Sequence, residues 1–308
     1  MFTQELKKTF HGAGALIITP FHDDLSLNCD GIRTNMAHMI ADGLSKEKGF
    51  FVTNGSMGEC SSMTMEERKR VIRTTVECAG DIPVVAGVND TSVMNVIELA
   101  RYAAQVGAKA ILLAPPYYHV YDLKQIIGFY RYVHDHTTLP IMLYNNPGIC
   151  GVDIPIRGLL ELAKLDRVFA IKQATVTTTN FVQSQQLNDQ LLVFAASSSQ
   201  QPYALLNDAV GFISFLSSIN MKLQLRLWDA ICQRDWEEAI RCHQEEMKIY
   251  GWWWNGGVKQ QAGQIVHMKK AMDMLGLCGG AVRPPLMQEL SSEEIEGLQR
   301  ILVDWNLL

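Results

Sequence analysis

Lys172 ends the apolar run Phe169-Ala170-Ile171-Lys172 and is followed by Gln173-Ala174-Thr175. Lysine is seldom buried without a partner or a task, so its place at the close of such a run is informative. In a desolvated pocket the ammonium is disfavoured, and the free amine that results attacks a ketone to give an imine. The competing reading is a side chain that snorkels past the rim of the fold or pairs with a carboxylate. Tyr144 closes a second run, in Leu143-Tyr144-Asn145-Asn146-Pro147. A positioned phenol relays protons, and it also serves as ordinary core filling. A third segment, Asn54-Gly55-Ser56-Met57-Gly58-Glu59-Cys60, sets glycines on both sides of a small hydroxyl residue. Backbone N–H groups in such a loop converge on an anion such as a carboxylate. Glu59 is either a general base or a residue bonded to loop amides. Tyr117 and Tyr118 follow Pro115-Pro116, where a tyrosine pair serves packing or chemistry.

The elements that hold these residues follow from hydrophobic pattern. Short continuous apolar runs recur at Ala13–Ile18, Gly49–Val52, Pro83–Val88, Ala110–Ala114, Pro140–Tyr144, Val168–Lys172, Leu191–Ala195 and Gly211–Phe215. Continuous rather than alternating runs mark strands buried on both faces of a parallel sheet. Between them lie helix-period segments. Met65–Ala79 opens after Thr64 with Glu67 in the capping-box position. Ser92–Val106 lines Val93, Val96, Ile97, Ala100 and Ala104 on one face and stops at Gly107. Leu123–His136 and Ile156–Leu165 behave alike. Regular strand–helix alternation gives right-handed parallel crossovers, and this many units favour closure into a (β/α)₈ TIM barrel. The open dinucleotide fold fails, because Gly12-Ala13-Gly14 opens the first strand instead of following it, and Ile17 stands where the third glycine belongs.

After about residue 220 the pattern turns helical, over Met221–Cys232, Asp235–Tyr250, Val258–Leu275 and Ser292–Val303. The expected organisation is a catalytic barrel over residues 1–233 and a carboxy-terminal helical region over 234–308. Gly251-Trp252-Trp253-Trp254-Asn255-Gly256-Gly257 reads as an aromatic hinge packed on the barrel or a neighbouring subunit, or as a pocket wall. In a barrel enzyme the chemistry sits at the carboxy ends of the strands, which is where Lys172, Tyr144 and the Ser56 loop fall.

Bulk composition excludes several other classes. The net charge is −5 with scattered basic residues, which is no footprint for nucleic acid. Seven widely spaced cysteines form no CxxC pair or Cys/His cluster, so neither a disulfide framework nor a metal cage is expected. The start, MFTQELKKTFHG, lacks the apolar core of a signal peptide, and no run approaches the roughly 18 apolar residues of a membrane span. A soluble cytoplasmic chain is the expectation.

The same sites, in order, make the chain resemble the dihydrodipicolinate synthase / N-acetylneuraminate lyase family over nearly its whole length. The matching pieces are Thr19-Pro20-Phe21, Gly55–Glu59 with Thr64–Arg68, Pro116-Tyr117-Tyr118, Leu143–Pro147, Ile171–Thr175, Gly211–Ser214 and Leu275-Gly276 through Leu286. The resemblance implies a Schiff-base aldolase acting on pyruvate or another 2-oxo acid without metal or organic cofactor. Lys172 would be the Schiff-base residue and Tyr144 the proton relay. Ser56 would hydrogen-bond to Tyr144 and to the substrate carboxylate, helped by the Met57 amide within Gly55–Gly58. Ile213 in the eighth strand would line the substrate site. In the synthase branch the tyrosine matching Tyr118 enters a neighbouring subunit's site, within a homotetramer built as a pair of dimers.

Three departures bear on the substrate. The arginine that binds a substrate carboxylate in the synthases is matched by Ile149. The threonine that usually follows Ser56 is Met57, which removes a hydroxyl from the relay. The glycine–acidic stretch that grips sugar hydroxyls in the lyases reads Ala196-Ser197-Ser198-Ser199, which leaves Ser197 at that position. Each hydrogen bond so lost would weaken a polyhydroxylated or dicarboxylate substrate by roughly 0.5–1.5 kcal/mol, and more where charge is involved. A less polar electrophile fits better, and the Asn54–Met63 loop is similar to that of hydratase-aldolases acting on benzylidene-pyruvates. A dehydratase or deaminase using the same imine is the nearest rival, and a non-catalytic ligand-binding relative the more distant one.

Overall fold

A computed structural model describes residues 2–175, 177–187, 189–196, 210–256, 261–286 and 289–308. Parallel strands close into one barrel in chain order. They are β1 (Gly12–Leu16), β2 (Gly49–Thr53), β3 (Val84–Gly87), β4 (Ala110–Leu113), β5 (Ile141–Asn145), β6 (Val168–Gln173), β7 (Leu192–Ala195) and β8 (Gly211–Ser214). The barrel closes where β8 pairs with β1. Each strand lies on one of the predicted apolar runs, and every strand residue is buried. Side chains fill the inside and helices cover the outside, which is why the runs are continuous.

The amino end of the barrel is sealed by aromatic rings. Phe10 packs against Phe50 and Phe169 at centroid distances of 5.5 and 5.2 Å, and Phe50 meets Phe194 at 5.3 Å. With that end filled, the opposite end, at the carboxy termini of the strands, carries the loops.

The helices are α1 (Phe2–Thr9), α2 (Cys29–Ala41), α3 (Met65–Ala79), α4 (Val93–Val106), α5 (Leu123–His136), α6 (Pro147–Cys150), α7 (Ile156–Leu162), α8 (Thr178–Gln185) and α9 (Met221–Gln233). The predicted capping box is present: Thr64 Oγ1 accepts from the Glu67 amide at 3.3 Å and Glu67 accepts from the Thr64 amide at 2.9 Å. Helix α4 ends on Gly107 at φ +99°, the left-handed stop its glycine predicts. Helices α1, α2, α6 and α8 go beyond the predicted set. In α2 the mixture of Gly31, Thr34 and Asn35 gives weak propensity. Burial of Ile32, Met36 and Met39 against the barrel overrides it.

Beyond the barrel lie α10 (Trp236–Asn255), α11 (Gln261–Met274) and α12 (Ser292–Asp304). The expected hinge at 251–257 is corrected: α10 continues through Gly251 to Asn255. Trp253 is fully buried, 5.8 Å from the Phe215 ring and 5.5 Å from Tyr250. Such burial outweighs the roughly 1 kcal/mol that a helical glycine costs. Gly257 and the predicted helix start at Val258 lie outside the described residues. After α11 the chain returns to the carboxy face of the barrel. The Ala281 amide donates to Phe21 O at 3.0 Å, and Asn35 is clamped to the Cys278 backbone at 2.8 and 2.9 Å. No helix among the described residues is long and apolar enough to cross a membrane.

Candidate active site

Lys172 and Tyr144 are register partners on adjacent parallel strands, β6 and β5. Equal register sends both side chains to the same side of the sheet. Lys172 is 4% exposed and Tyr144 2% exposed, and the Lys172 Nζ lies 4.4 Å from the centroid of the phenol ring. At that burial the side chain does not snorkel past the rim, and among the described residues no carboxylate stands within ion-pair distance of its nitrogen. It stands over a polarisable ring face.

The Tyr144 hydroxyl is held from two sides. Ser56 Oγ lies 3.3 Å from Tyr144 Oη, and Asn146 Nδ2 donates to the same oxygen at 2.8 Å. Ser56 reaches it from the loop after β2, in a single 3₁₀ turn over Ser56–Gly58. That turn uses two of the loop's amides: Gly58 N donates to Gly55 O at 3.1 Å and Glu59 N to Ser56 O at 3.0 Å. The Gly58 N–H is thus engaged within the turn. Its carbonyl is likewise occupied, accepting from Thr19 Oγ1 at 2.8 Å. A Cβ at Gly58 would stand 2.9 Å from Ile17 O, so the turn packs onto the barrel only with glycine there. The Met57 amide, in the first turn of the 3₁₀ segment, donates to no group among the described residues. The Met57 side chain is buried at 1% exposure, and Gly55 is buried beside it.

A polar clamp that the sequence reading misses fixes the ends of β5 and β6. Asn145 Nδ2 donates to Gln173 Oε1 at 2.7 Å and to Asp153 Oδ1 at 2.6 Å. Asp153 Oδ2 in turn accepts from Thr175 Oγ1 and Asn180 Nδ2, both at 2.8 Å. Asn145 and Gln173 are the chain neighbours of Tyr144 and Lys172 and point to the opposite side. The clamp thus holds the backbone under both Lys172 and Tyr144. Asn145 and Gln173 were visible as polar residues at strand ends, but nothing local marks Asp153, whose partners come from elements that only the fold brings together.

Ile149 lies half-buried in α6, the short turn that follows β5. Its neighbour Cys150 is buried, which pushes the thiol up to about 12. Ile213 is buried in β8 as the register partner of Gly14 in β1, and a Cβ on Gly14 would come within 2.6 Å of its Cγ1, so its side chain lies over that glycine. Tyr118 is 80% exposed with its ring against His119; Tyr117 is partly covered, and burial raises its phenol. Ser197 lies outside the described residues. Glu59 neither faces the site as a base nor bonds to its own loop. Its carboxylate is buried on the far side of the turn against Lys269 of α11.

The chain is similar to known proteins in sequence and in fold. The sequence profile of the Dihydrodipicolinate synthetase family matches residues 9–304. A 4-hydroxy-tetrahydrodipicolinate synthase of Methanothrix thermoacetophila is 29% identical over 297 residues, covering 95% of this chain and 96% of that protein. The enzyme of the same name from Magnetococcus marinus is 30% identical over 305 residues, covering 97% and 99%. Among solved structures, a prophage protein of the dihydrodipicolinic acid synthase family from E. coli K12, in complex with pyruvate, superposes with a TM-score of 0.88. It is 24% identical, and the overlap covers 97% of this chain and 99% of that one. With so nearly complete a match to the profile and end-to-end alignment to its relatives, the chain belongs to the dihydrodipicolinate synthetase family and is a lyase-type enzyme of the class I aldolase superfamily.

Proposed function

We propose that this enzyme forms a Schiff base between Lys172 and pyruvate or a substituted 2-oxo acid and makes or breaks the bond between C3 and C4. The neutral amine attacks the ketone, and water leaves as the imine forms. Ser56 and the Met57 amide hold the carboxylate, and Tyr144 carries the protons that imine formation and bond cleavage require. The protonated imine is itself the electron sink, so the scheme calls for no further cofactor. One observation carries this reading: a buried lysine, with no carboxylate partner among the described residues, stands over a phenol whose hydroxyl touches Ser56.

The partner carbonyl in this reading is weakly polar or aromatic. Support comes from Met57 and Ile149, which bring no hydrogen-bonding group to positions beside the turn and after β5. The test is borohydride reduction in the presence of pyruvate, followed by mass spectrometry of the Lys172 peptide. An unmodified Lys172 would refute the scheme, and product analysis over a panel of 2-oxo acids separates bond cleavage from loss of water or ammonia.

A homotetramer is proposed as the working assembly, supported by Tyr118 and Val120, exposed to 80% and 88% on one loop. Sedimentation analysis tests it. The cysteines are all free thiols, which supports a reducing compartment, the cytoplasm.

A further inference from the structure

Glu59 immediately follows the Ser56–Gly58 turn and sits in the left-handed region at φ 53°, ψ 36°. A residue with a side chain is disfavoured there and persists only where its surroundings determine it. Here the surroundings come from the far end of the chain. The Glu59 carboxylate is ion-paired with Lys269 of α11 and accepts from the Arg283 amide at 3.1 Å. Lys269 is itself 2% exposed and donates to Ala281 O at 2.6 Å, with its ammonium 4.5 Å from the centroid of the Phe21 ring. The Arg283 guanidinium stands 4.1 Å from the same centroid. It donates to Leu25 O, to Ser62 O at 2.9 Å and to Glu67 at 2.8 Å. The carboxy-terminal segment therefore grips the loop at Glu59, just after the turn that carries Ser56, and again at Ser62 and Glu67, where α3 begins.

A buried ion pair contributes little net stability over apolar groups of the same shape, because both charges must leave water. Apolar packing, however, would not determine the left-handed turn. We infer that Glu59 is a positioning residue for the proposed imine chemistry, and that the buried Glu59–Lys269 pair, backed by Arg283, holds the Ser56 turn against Tyr144. The carboxy-terminal helices thereby govern the geometry of a site to which they contribute no reacting group. This inference rests on the proposed reading of Ser56 and Tyr144.

The test uses the full chain and the double variant Glu59→Gln/Lys269→Met, which removes both charges and keeps the bulk. Hydrogen exchange at the amides of residues 55–60 is expected to speed up by about tenfold, while amides of β5 and β6 stay unchanged. In parallel, KM for pyruvate in imine trapping is expected to rise by about tenfold, with a smaller change in the trapping rate at saturation. Lys269→Arg, which keeps the charge, is expected to stay within about threefold of the parent in both readouts. If the double variant leaves exchange and KM untouched, or Lys269→Arg damages them equally, the inference is overturned. Should the double variant fail to fold, Lys269→Gln carries the same test: its amide still donates to Glu59, so about a threefold effect is expected, and none would overturn it. The exchange readout needs no chemistry. A parent enzyme that traps no pyruvate would refute the proposed function while leaving the grip on the loop separately measurable.

Discussion

Lys172 Nζ lies 4.4 Å from the centroid of the Tyr144 ring, and the two residues are register partners on β6 and β5. The spacing of their backbones is set by strand pairing. Their alignment is set by the Asn145–Asp153–Gln173 clamp behind them.

Lys172→Met follows directly. Imine trapping should vanish and turnover should fall by at least about 10³-fold. Stability should stay within about 1.5 kcal/mol of the parent, because methionine keeps most of the side chain's length and apolar stem. Thermal denaturation beside the trapping assay checks both, and a markedly destabilised variant would assign Lys172 a structural role.

Tyr144→Phe removes only the hydroxyl on which Ser56 and Asn146 converge. The expected loss in kcat is about 10²–10⁴-fold with the fold intact. Ser56→Ala should cost less, since Asn146 still holds the phenol. In the double variant the losses should fail to add by about 0.5–3 kcal/mol, as groups in one network do. Strict additivity, measured in a double-mutant cycle, would mean that the 3.3 Å contact between Ser56 and Tyr144 carries no chemistry.

Much of this was legible in the sequence, because barrel strands are buried on both faces and announce themselves as continuous apolar runs. Lys172 and Tyr144 stood out as polar ends to such runs, and Thr64 with Glu67 announced a helix start. The part that stayed hidden depends on long-range partners. Glu59 looks like a loop acid until Lys269 and Arg283 fold back onto it, and Asp153 looks like a surface residue until Thr175 and Asn180 reach it. The tryptophan run misled for the converse reason: Gly251 and Gly256 suggest a break locally, whereas the buried Trp253 makes helix the better solution. Local pattern reads elements, and it does not read what the elements bring together.

Ile149→Arg tests why a less polar substrate is proposed. A guanidinium on α6 would add a charge-assisted hydrogen bond for a second carboxylate, worth about 1.5–3 kcal/mol. The ratio of kcat/KM for a dicarboxylate electrophile over an aromatic one should therefore rise by about 10- to 150-fold. An unchanged ratio would remove Ile149 from the substrate wall.

Acid should loosen the junction between α3 and the carboxy-terminal segment through Glu67. The Arg283 guanidinium holds this carboxyl at about 2, below its ordinary 4.5. A depressed carboxyl contributes stability that is complete above its unfolded value and disappears as pH falls through its folded one. The contribution should therefore be full near pH 6 and should fade between about pH 4.5 and 2. Glu67 keeps some contact with solvent, so the screened contribution is about 1–2 kcal/mol, less than the bare shift implies. Glu67→Gln retains a helix-start residue of similar shape and does not titrate. Urea unfolding of both proteins across that range should show the parent ahead at pH 6 and the gap closing on the acid side. A gap that stays constant with pH would show that Glu67 acts through packing and neutral hydrogen bonds alone.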